Sequence, residues 1–180
     1  MAGPYFTGSG DSGETGVLGG RVRKDSRLMD AIGNIDELNS CIGVAAQHVK
    51  QEGLKGWLQA IQNDLFKLGA YIASLQNGAS AKAGISSDDI EGLEAHISRM
   101  SEALPELRQF VIPSGSEGAS YLHLTRAVAR RAERSIVSLT GEYAVEKKAI
   151  AYANRLSSFL FVAALYENHA AGKSELNPTY

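Results

Sequence analysis

The sequence predicts an all-α protein, an up-and-down bundle of five helices preceded by a glycine-rich segment. Apolar residues recur at spacings of three and four through five long stretches, which are separated by short segments rich in Gly, Pro or Ser. The chain has 180 residues, of which 44% are hydrophobic and 21% charged, as in an ordinary globular domain. Because strand signals are almost absent, packed helices joined by short loops are the expected architecture.

The N-terminal stretch TGSGDSGETGVLGG differs from the rest of the chain, since it holds six glycines in fourteen residues. Glycine loses much backbone entropy on ordering and has no side chain to bury, so we expect no core element here. Composition alone is typical of a disordered tail. We therefore divide the chain into a glycine-rich segment (1–25), a helical bundle (26–170) and a C-terminal tail (171–180).

The first three helices are predicted from their apolar periodicity and their starts. The first begins after Ser26, which can cap it, and the second runs through LKGWLQAIQNDLFKLGAYIASL. The loop QNGASAKAGISS separates the second from the third, which opens on SSDD, a serine with an acidic first turn.

The last two helices follow a connector, PELRQFVIPSG, in which Pro105 and Pro113 prevent a continuous helix. The fourth helix is predicted from about Glu117 to Leu139 and the fifth from about Val145 to His169. The turn TGEY joins them.

Several classes of function are disfavoured. A net charge of -2 argues against a nucleic-acid-binding domain, and the single cysteine, Cys41, excludes an intramolecular disulfide. We expect no membrane span and no signal peptide, and so a cytoplasmic protein. The P-loop pattern GxxxxGK[ST] is absent from the sequence. His96 and His123 lack the Glu-x-x-His spacing of a di-iron bundle, so we interpret both as residues that bind no metal.

The stretch LTRAVARRAER, residues 124–134, concentrates four arginines on one predicted helix. Arg126, Arg130 and Arg134 fall on one stripe of a helical wheel with Arg131 at its border, and the opposite, packing stripe is formed by Leu124, Val128, Ala132, Ile136 and Leu139. A solvated face is the simplest interpretation, but such faces usually mix charges of both signs. Arginine binds anions through a planar fork, so either a carboxylate on another helix or a polyphosphate is a plausible partner.

Polar residues also stand among apolar ones in the fifth and first helices. Asn154 lies in YANRLSSFLF, a stretch apolar enough that we expect it to be buried. A buried asparagine must be hydrogen-bonded, so Asn154 is either part of a structural network or a ligand contact. Asp36, in NIDELNS, lies beside the predicted packing face and could pair with an arginine across an interface.

Four sets of motifs together resemble the PduO-type ATP:cob(I)alamin adenosyltransferases: TGSGDSGET with RVRKD, GNIDELNS, FVIPSG with LHLTRAVARRAER, and YANRLSSFLF. The resemblance extends from about Tyr5 to Val162. It implies a homotrimer of five-helix bundles with active sites between adjacent subunits. It implies that the 5′-deoxyadenosyl group of ATP is transferred to the cobalt of cob(I)alamin, a substrate, with release of triphosphate. Mg²⁺ would accompany ATP, through ligands that the sequence does not identify, and the further partners are a reductase and an adenosylcobalamin-dependent enzyme.

The resemblance also implies roles for individual residues. The family's ATP contacts fall on Thr7, Gly8, Ser9, Gly10, Thr15, Gly16, Lys24, Arg130, Arg131, Glu133, Arg134 and Asn154. Its salt bridge across the subunit interface matches Asp36 and Arg126, which we expect to be catalytic together with Arg130. The phenylalanine that lies beside the corrin and displaces the lower axial ligand matches Phe110. These roles agree with the chemistry, since glycine N–H groups and arginine forks both bind phosphate.

Three positions depart from the family's usual pattern. Gly8 stands where a Lys or Arg is usual, GSGD replaces RTGD, and Ser158 stands where an Asp is usual. The first two should weaken ATP binding, and the third should alter contacts with the corrin or between subunits. Two alternatives therefore stay open: a regulatory or carrier protein that binds cobalamin or nucleotide without turnover, and a structural bundle whose arginines join subunits.

Overall fold

The computed structural model describes residues 5–18, 20–77 and 84–179. Within these residues lie five long helices: α1 (Arg27–His48), α2 (Glu52–Ser74), α3 (Ser87–Ser101), α4 (Glu117–Ser138) and α5 (Lys147–Ala170). Short 3₁₀ turns follow α2 at Leu75–Asn77 and α4 at Leu139–Gly141. The five predicted helices are thus confirmed. Parts of three predicted regions lie outside the described residues: 1–4 and 19 of the glycine-rich segment, 78–83 of the loop, and 180 of the tail.

The helices begin where side chains can satisfy their first N–H groups. Ser26 caps α1 by accepting a hydrogen bond from Met29 N–H, as predicted. Ser86 and Asp89 form a reciprocal capping box at the start of α3. Ser116 caps α4. The predicted helix starts therefore shift by only one or two residues.

The core lies between α4, α1 and α5, with α2 packed on α1 and α3 packed on α5. Tyr152 and Phe159 of α5 are the largest fully buried side chains. A Cβ on Gly118 would lie 2.8 Å from His48 O, so the start of α4 can approach the end of α1 this closely only with glycine. Among the described helices, α5 has the length and composition to cross a membrane, but more than half of that stretch is buried inside the bundle, as in a core helix.

None of the described residues of the glycine-rich segment is buried, so the segment forms no core element, as expected, but residues 14–17 and 20–23 are not the disordered tail that composition alone predicts. Residues Glu14–Val17 (β1) and Gly20–Arg23 (β2) form an antiparallel hairpin, with Thr15 opposite Val22. The hairpin needs backbone hydrogen bonds rather than apolar side chains, and it gains a cross-strand ion pair between Arg21 and Glu14. Apolar periodicity could not reveal it.

Two expectations about burial are also wrong. Leu124, placed on the packing stripe of the arginine helix, is 57% exposed. Asn154, expected to be buried, is exposed on α5. Both errors have one cause: the residue pattern of one helix does not show whether a neighbouring helix covers a given side chain.

Candidate active site

A polar cleft of about 310 Å³ opens between α4 and α5 and is lined by Arg130, Glu133, Arg134, Val137 and Asn154. Asn154 Nδ2 donates to Glu133 Oε1 at 2.8 Å, which orients both side chains across the cleft. The structure thus brings together four of the predicted ATP contacts from two consecutive helices.

The two arginines of this cleft have no anionic partner within the part of the chain that the structure describes. Arg130 and Arg134 are both exposed, and neither side chain forms an ion pair or a hydrogen bond there. They lie four residues apart on one helix face, where like charges repel each other. An anion bound between them would remove this repulsion.

Arg131, by contrast, points away from the cleft and towards α1. Its Nε donates to Asn34 Oδ1 at 3.0 Å, and its guanidinium forms an ion pair with Glu37. Within one chain this predicted ATP contact therefore ties α4 to α1. Apolar periodicity does not predict this pairing, although Glu37 stands next to Asp36 in the motif NIDELNS.

Arg126 is less exposed to solvent than the other arginines of α4. It is half-buried, and its guanidinium carbon lies 5.7 Å from the centre of the Phe161 ring. Its Nε is buried and has no hydrogen-bond partner among the residues that the structure describes. Burial, together with the charge of Arg130, lowers the pKa of Arg126. Sequence reasoning did not identify Phe161, because nothing in an apolar helix distinguishes one phenylalanine as the platform for an arginine.

Asp36 lies on a different face of the bundle. It is exposed and lines a largely apolar cleft of about 740 Å³ between α1, α2 and the hairpin, beside Phe66, whose ring is 71% exposed. Asp36 forms no ion pair or hydrogen bond with the described part of its own chain. The structure therefore does not bring Asp36 and Arg126 together within one subunit.

The glycine-rich segment before the hairpin folds into two consecutive turns. Asp11 N–H donates to Gly8 O and Gly13 N–H to Gly10 O. Gly8 and Gly13 have φ angles of +70° and +84°, in the left-handed region that favours glycine. At Gly8, a residue with a side chain, such as Lys or Arg, would be strained in this conformation.

Side chains complete the segment on its exposed surface. Thr7 and Ser9 share a hydrogen bond of 2.8 Å between their hydroxyls, and Arg21 donates to Ser9 O. The ammonium of Lys24 lies beside Gly10, and Lys24 also lines a shallow cleft with Arg23 and the turn before β1. Thr15 and Gly16 lie in β1. The six predicted contacts from Thr7 to Gly16 therefore lie on one short stretch, with the Lys24 ammonium beside Gly10.

Phe110 lies in the connector between α3 and α4 with its ring 79% exposed. Its carbonyl oxygen accepts a hydrogen bond from Asn177 Nδ2. A large apolar ring held in water at a fixed place on the backbone is suited to contact an apolar ligand.

The family model for cobalamin adenosyltransferases matches residues 5–167. The chain belongs to the cobalamin adenosyltransferase family. The corrinoid adenosyltransferase of Bacillus subtilis is 37% identical over 171 residues, which are 93% of this chain and 88% of the relative. The human corrinoid adenosyltransferase MMAB is 35% identical over 94% of this chain and 71% of its own length. The PduO protein of Citrobacter freundii is 38% identical over 95% of this chain, which spans only 52% of that relative.

Solved structures of this family agree with the fold. The PduO-type adenosyltransferase of Lactobacillus reuteri, in an arginine-to-lysine variant complexed with ATP, has a TM-score of 0.90 and 30% identity, with 97% of this chain and 99% of that chain covered. A phenylalanine-to-alanine variant of the same protein, complexed with cobalamin and ATP, also has a TM-score of 0.90 and 30% identity, covering 98% and 99%. Curated relatives and structures thus identify the same adenosyltransferase family that the motifs predicted.

Proposed function

We propose that the active site of this corrinoid adenosyltransferase is formed by two surfaces, the α4–α5 cleft of one copy and the glycine-rich segment of another. The enzyme transfers the 5′-deoxyadenosyl group of ATP to the cobalt of cob(I)alamin and releases triphosphate. The observation that carries our proposal is the pair of exposed arginines in the α4–α5 cleft, Arg130 and Arg134, which have no anionic partner among residues 5–18, 20–77 and 84–179. We assign them to the triphosphate, whose negative charge grows at the leaving oxygen during transfer.

The remaining ATP contacts belong to the glycine-rich segment of an adjacent subunit. In one chain, Gly16, Val17 and Leu18 of the hairpin line a cleft with α1 and α2, whereas the arginine cleft is formed by α4 and α5. Two half-sites on different faces suggest that a complete site forms where two copies meet. A homotrimer closes such head-to-tail contacts into a ring.

The exposed Asp36 and the half-buried Arg126 support the same arrangement. Each lacks an ionic partner within the described part of its own chain, and each lies next to an exposed or half-exposed phenylalanine. A pair formed between subunits would satisfy both charges and remove apolar surface from water.

Mg²⁺ fits this site as an ion that arrives with ATP. Among residues 5–18, 20–77 and 84–179, no cluster of three or more His, Cys, Asp or Glu side chains could hold a metal ion. Phosphate oxygens are hard ligands that bind Mg²⁺ well, so the ion would be held mainly by the nucleotide. Its chemistry would be to neutralise charge on the triphosphate.

Cob(I)alamin is itself a strong nucleophile, so the protein needs no catalytic base. The remaining tasks are to align C5′ of ATP with the cobalt and to exclude water. We assign the lower face of the corrin to Phe110, whose exposed ring would displace the axial base. A reductase that supplies cob(I)alamin and an enzyme that uses adenosylcobalamin are the partners this chemistry requires, and we place the protein in the cytoplasm with them.

A binding protein without turnover is the second candidate, and the absence of a basic residue at Gly8 is the observation that favours it. An anaerobic absorbance spectrum of the protein with cob(I)alamin and MgATP separates the two. We expect the protein to form more than one equivalent each of adenosylcobalamin and triphosphate. At most one equivalent of product, or binding without product, would support the carrier instead.

A further inference from the structure

The connector that carries Phe110 is held from outside by the C-terminal tail, residues 171–179. Because the Phe110 ring is 79% exposed, packing around the ring does not fix its position. Two hydrogen bonds fix the backbone instead. Asn177 Nδ2 donates to Phe110 O at 2.9 Å, and Ile112 N–H donates to Leu176 O at 2.7 Å. The tail therefore lies against the connector, joined to it by one backbone and one side-chain hydrogen bond.

Asn168, in the last turn of α5, joins both segments to the bundle. Its side chain is 0% exposed. Its Oδ1 accepts from Ser116 N–H at 2.8 Å, and its Nδ2 donates to Ser114 O at 3.0 Å and to Glu175 Oε1 at 3.1 Å. Ser116 is the N-cap of α4, so one buried amide links the start of α4, the connector and the tail.

Glycines allow this junction to form. Gly115 has a φ of +121°, and a Cβ built on it would lie 2.1 Å from Asn168 Oδ1. Any other residue at this position would therefore expel the amide or move the connector. Gly172, with a φ of +65°, lets the tail turn back after α5, where Lys173 N–H donates to Asn168 O.

We propose that Asn168 and Asn177 are positioning residues for adenosyl transfer, because through the connector and the tail they set where Phe110 presents its ring to the corrin. This inference rests on the proposed function, in which Phe110 lies against the lower face of the corrin. Neither asparagine touches substrate. Fixing an irregular segment before the corrin binds removes an entropic cost that binding would otherwise meet.

The test uses two variants of the exposed Asn177 in the full-length protein. In Asn177→Ala the donor to Phe110 O is lost, and in Asn177→Asp a carboxylate faces that carbonyl and repels it. The loss of one hydrogen bond corresponds to a rise of about two- to tenfold in the KM for cob(I)alamin. We expect a larger rise for Asp than for Ala, with the ATP KM and the unfolding midpoint unchanged.

The matched control is Asn63→Ala. Asn63 is also exposed, and its Nδ2 donates to a backbone carbonyl, that of Gln59 in α2. The Asn63→Ala substitution removes the same kind of hydrogen bond at a place far from the connector in sequence. The kinetics of this variant should therefore equal those of wild type.

Amide hydrogen exchange at Ile112 measures the contact between the tail and the connector directly, and it requires no substrate. The N–H of Ile112 is protected by Leu176 O, so we expect faster exchange there in both Asn177 variants and unchanged exchange in α2. Wild-type cob(I)alamin KM values together with wild-type Ile112 exchange would overturn the inference while leaving the proposed function intact. A wild-type protein that forms no adenosylcobalamin would overturn the proposed function itself, and with it the link between the tail and the corrin.

Discussion

At the scale of single residues, the site depends on charges that the folded chain leaves unbalanced. Arg130 and Arg134 are exposed and lack a partner in the described chain, while their neighbour Arg131 is paired with Glu37. Adjacent arginines on one helix thus have different tasks. One ties α4 to α1, and the other two remain available to an anion.

Arg130→Ala should fold normally but lose turnover by about a hundredfold or more, as removal of a preorganised charge donor typically does. Arg130→Lys should recover only part of the activity, because an ammonium cannot replace a bidentate fork. Steady-state kcat and ATP KM measure both effects. Arg99→Ala, which removes an exposed helical arginine from α3, is the control. Wild-type kinetics for Arg130→Ala would show instead that the stripe is only a solvated face.

The sequence was sufficient to select the arginine stripe, because residue type and helical spacing are local properties. It could not predict how far each arginine is buried. Arg126 is half-buried against Phe161, whereas Asn154, in a nearly apolar helix, reaches water and pairs with Glu133. Burial depends on which helices are neighbours, and no spacing within one helix contains that information.

At the scale of elements, the hairpin and the bundle differ in what stabilises them. The five helices bury a shared apolar core, and their starts are marked by serine caps that can be read from sequence. The hairpin of β1 and β2 is short and polar, and strands of this kind are marginally stable alone. This is why the helices were predicted and the hairpin was not.

Deleting residues 1–15 should therefore leave a folded bundle with little activity. The segment contributes few buried side chains, so helical circular dichroism and the unfolding midpoint should stay close to wild type. Loss of the turns at Gly8 and Gly13 should abolish most ATP-dependent transfer. A shorter deletion of residues 1–4 keeps every predicted ATP contact and serves as the control. If the longer deletion turned over normally, the segment would have no part in catalysis.

At the scale of the whole molecule, the chain carries two charged groups on separate faces, each without an ionic partner among the described residues. Asp36 lies with exposed Phe66 on the α1–α2 face, and Arg126 lies on Phe161 at the α4–α5 face. A homotrimer would place such surfaces against each other. The motifs predicted this pairing through the resemblance alone, since residues of separate subunits leave no trace in the periodicity of one chain.

A double-mutant cycle tests the pairing. Asp36→Ala and Arg126→Ala should each impair trimer formation or activity, because breaking a desolvated ion pair leaves one charge uncompensated and costs about 3–5 kcal/mol. The double variant should lose less than the sum of the two single losses if the residues contact each other. Sedimentation equilibrium measures assembly and thermal unfolding measures stability. Strictly additive losses, or a stable trimer from Asp36→Ala, would contradict the contact.

The exposed positive charge in the α4–α5 cleft also makes ATP binding depend on the salt and buffer of the solution. Exposed charges are screened over a Debye length of about 8 Å at physiological ionic strength, and over about 3 Å at 1 M salt. Attraction between ATP and the exposed Arg130 and Arg134 should therefore weaken steeply as salt is added. Multivalent buffer anions such as phosphate and sulfate should compete for the same guanidinium groups. Apparent affinities for ATP will be comparable between laboratories only at matched ionic strength and buffer anion.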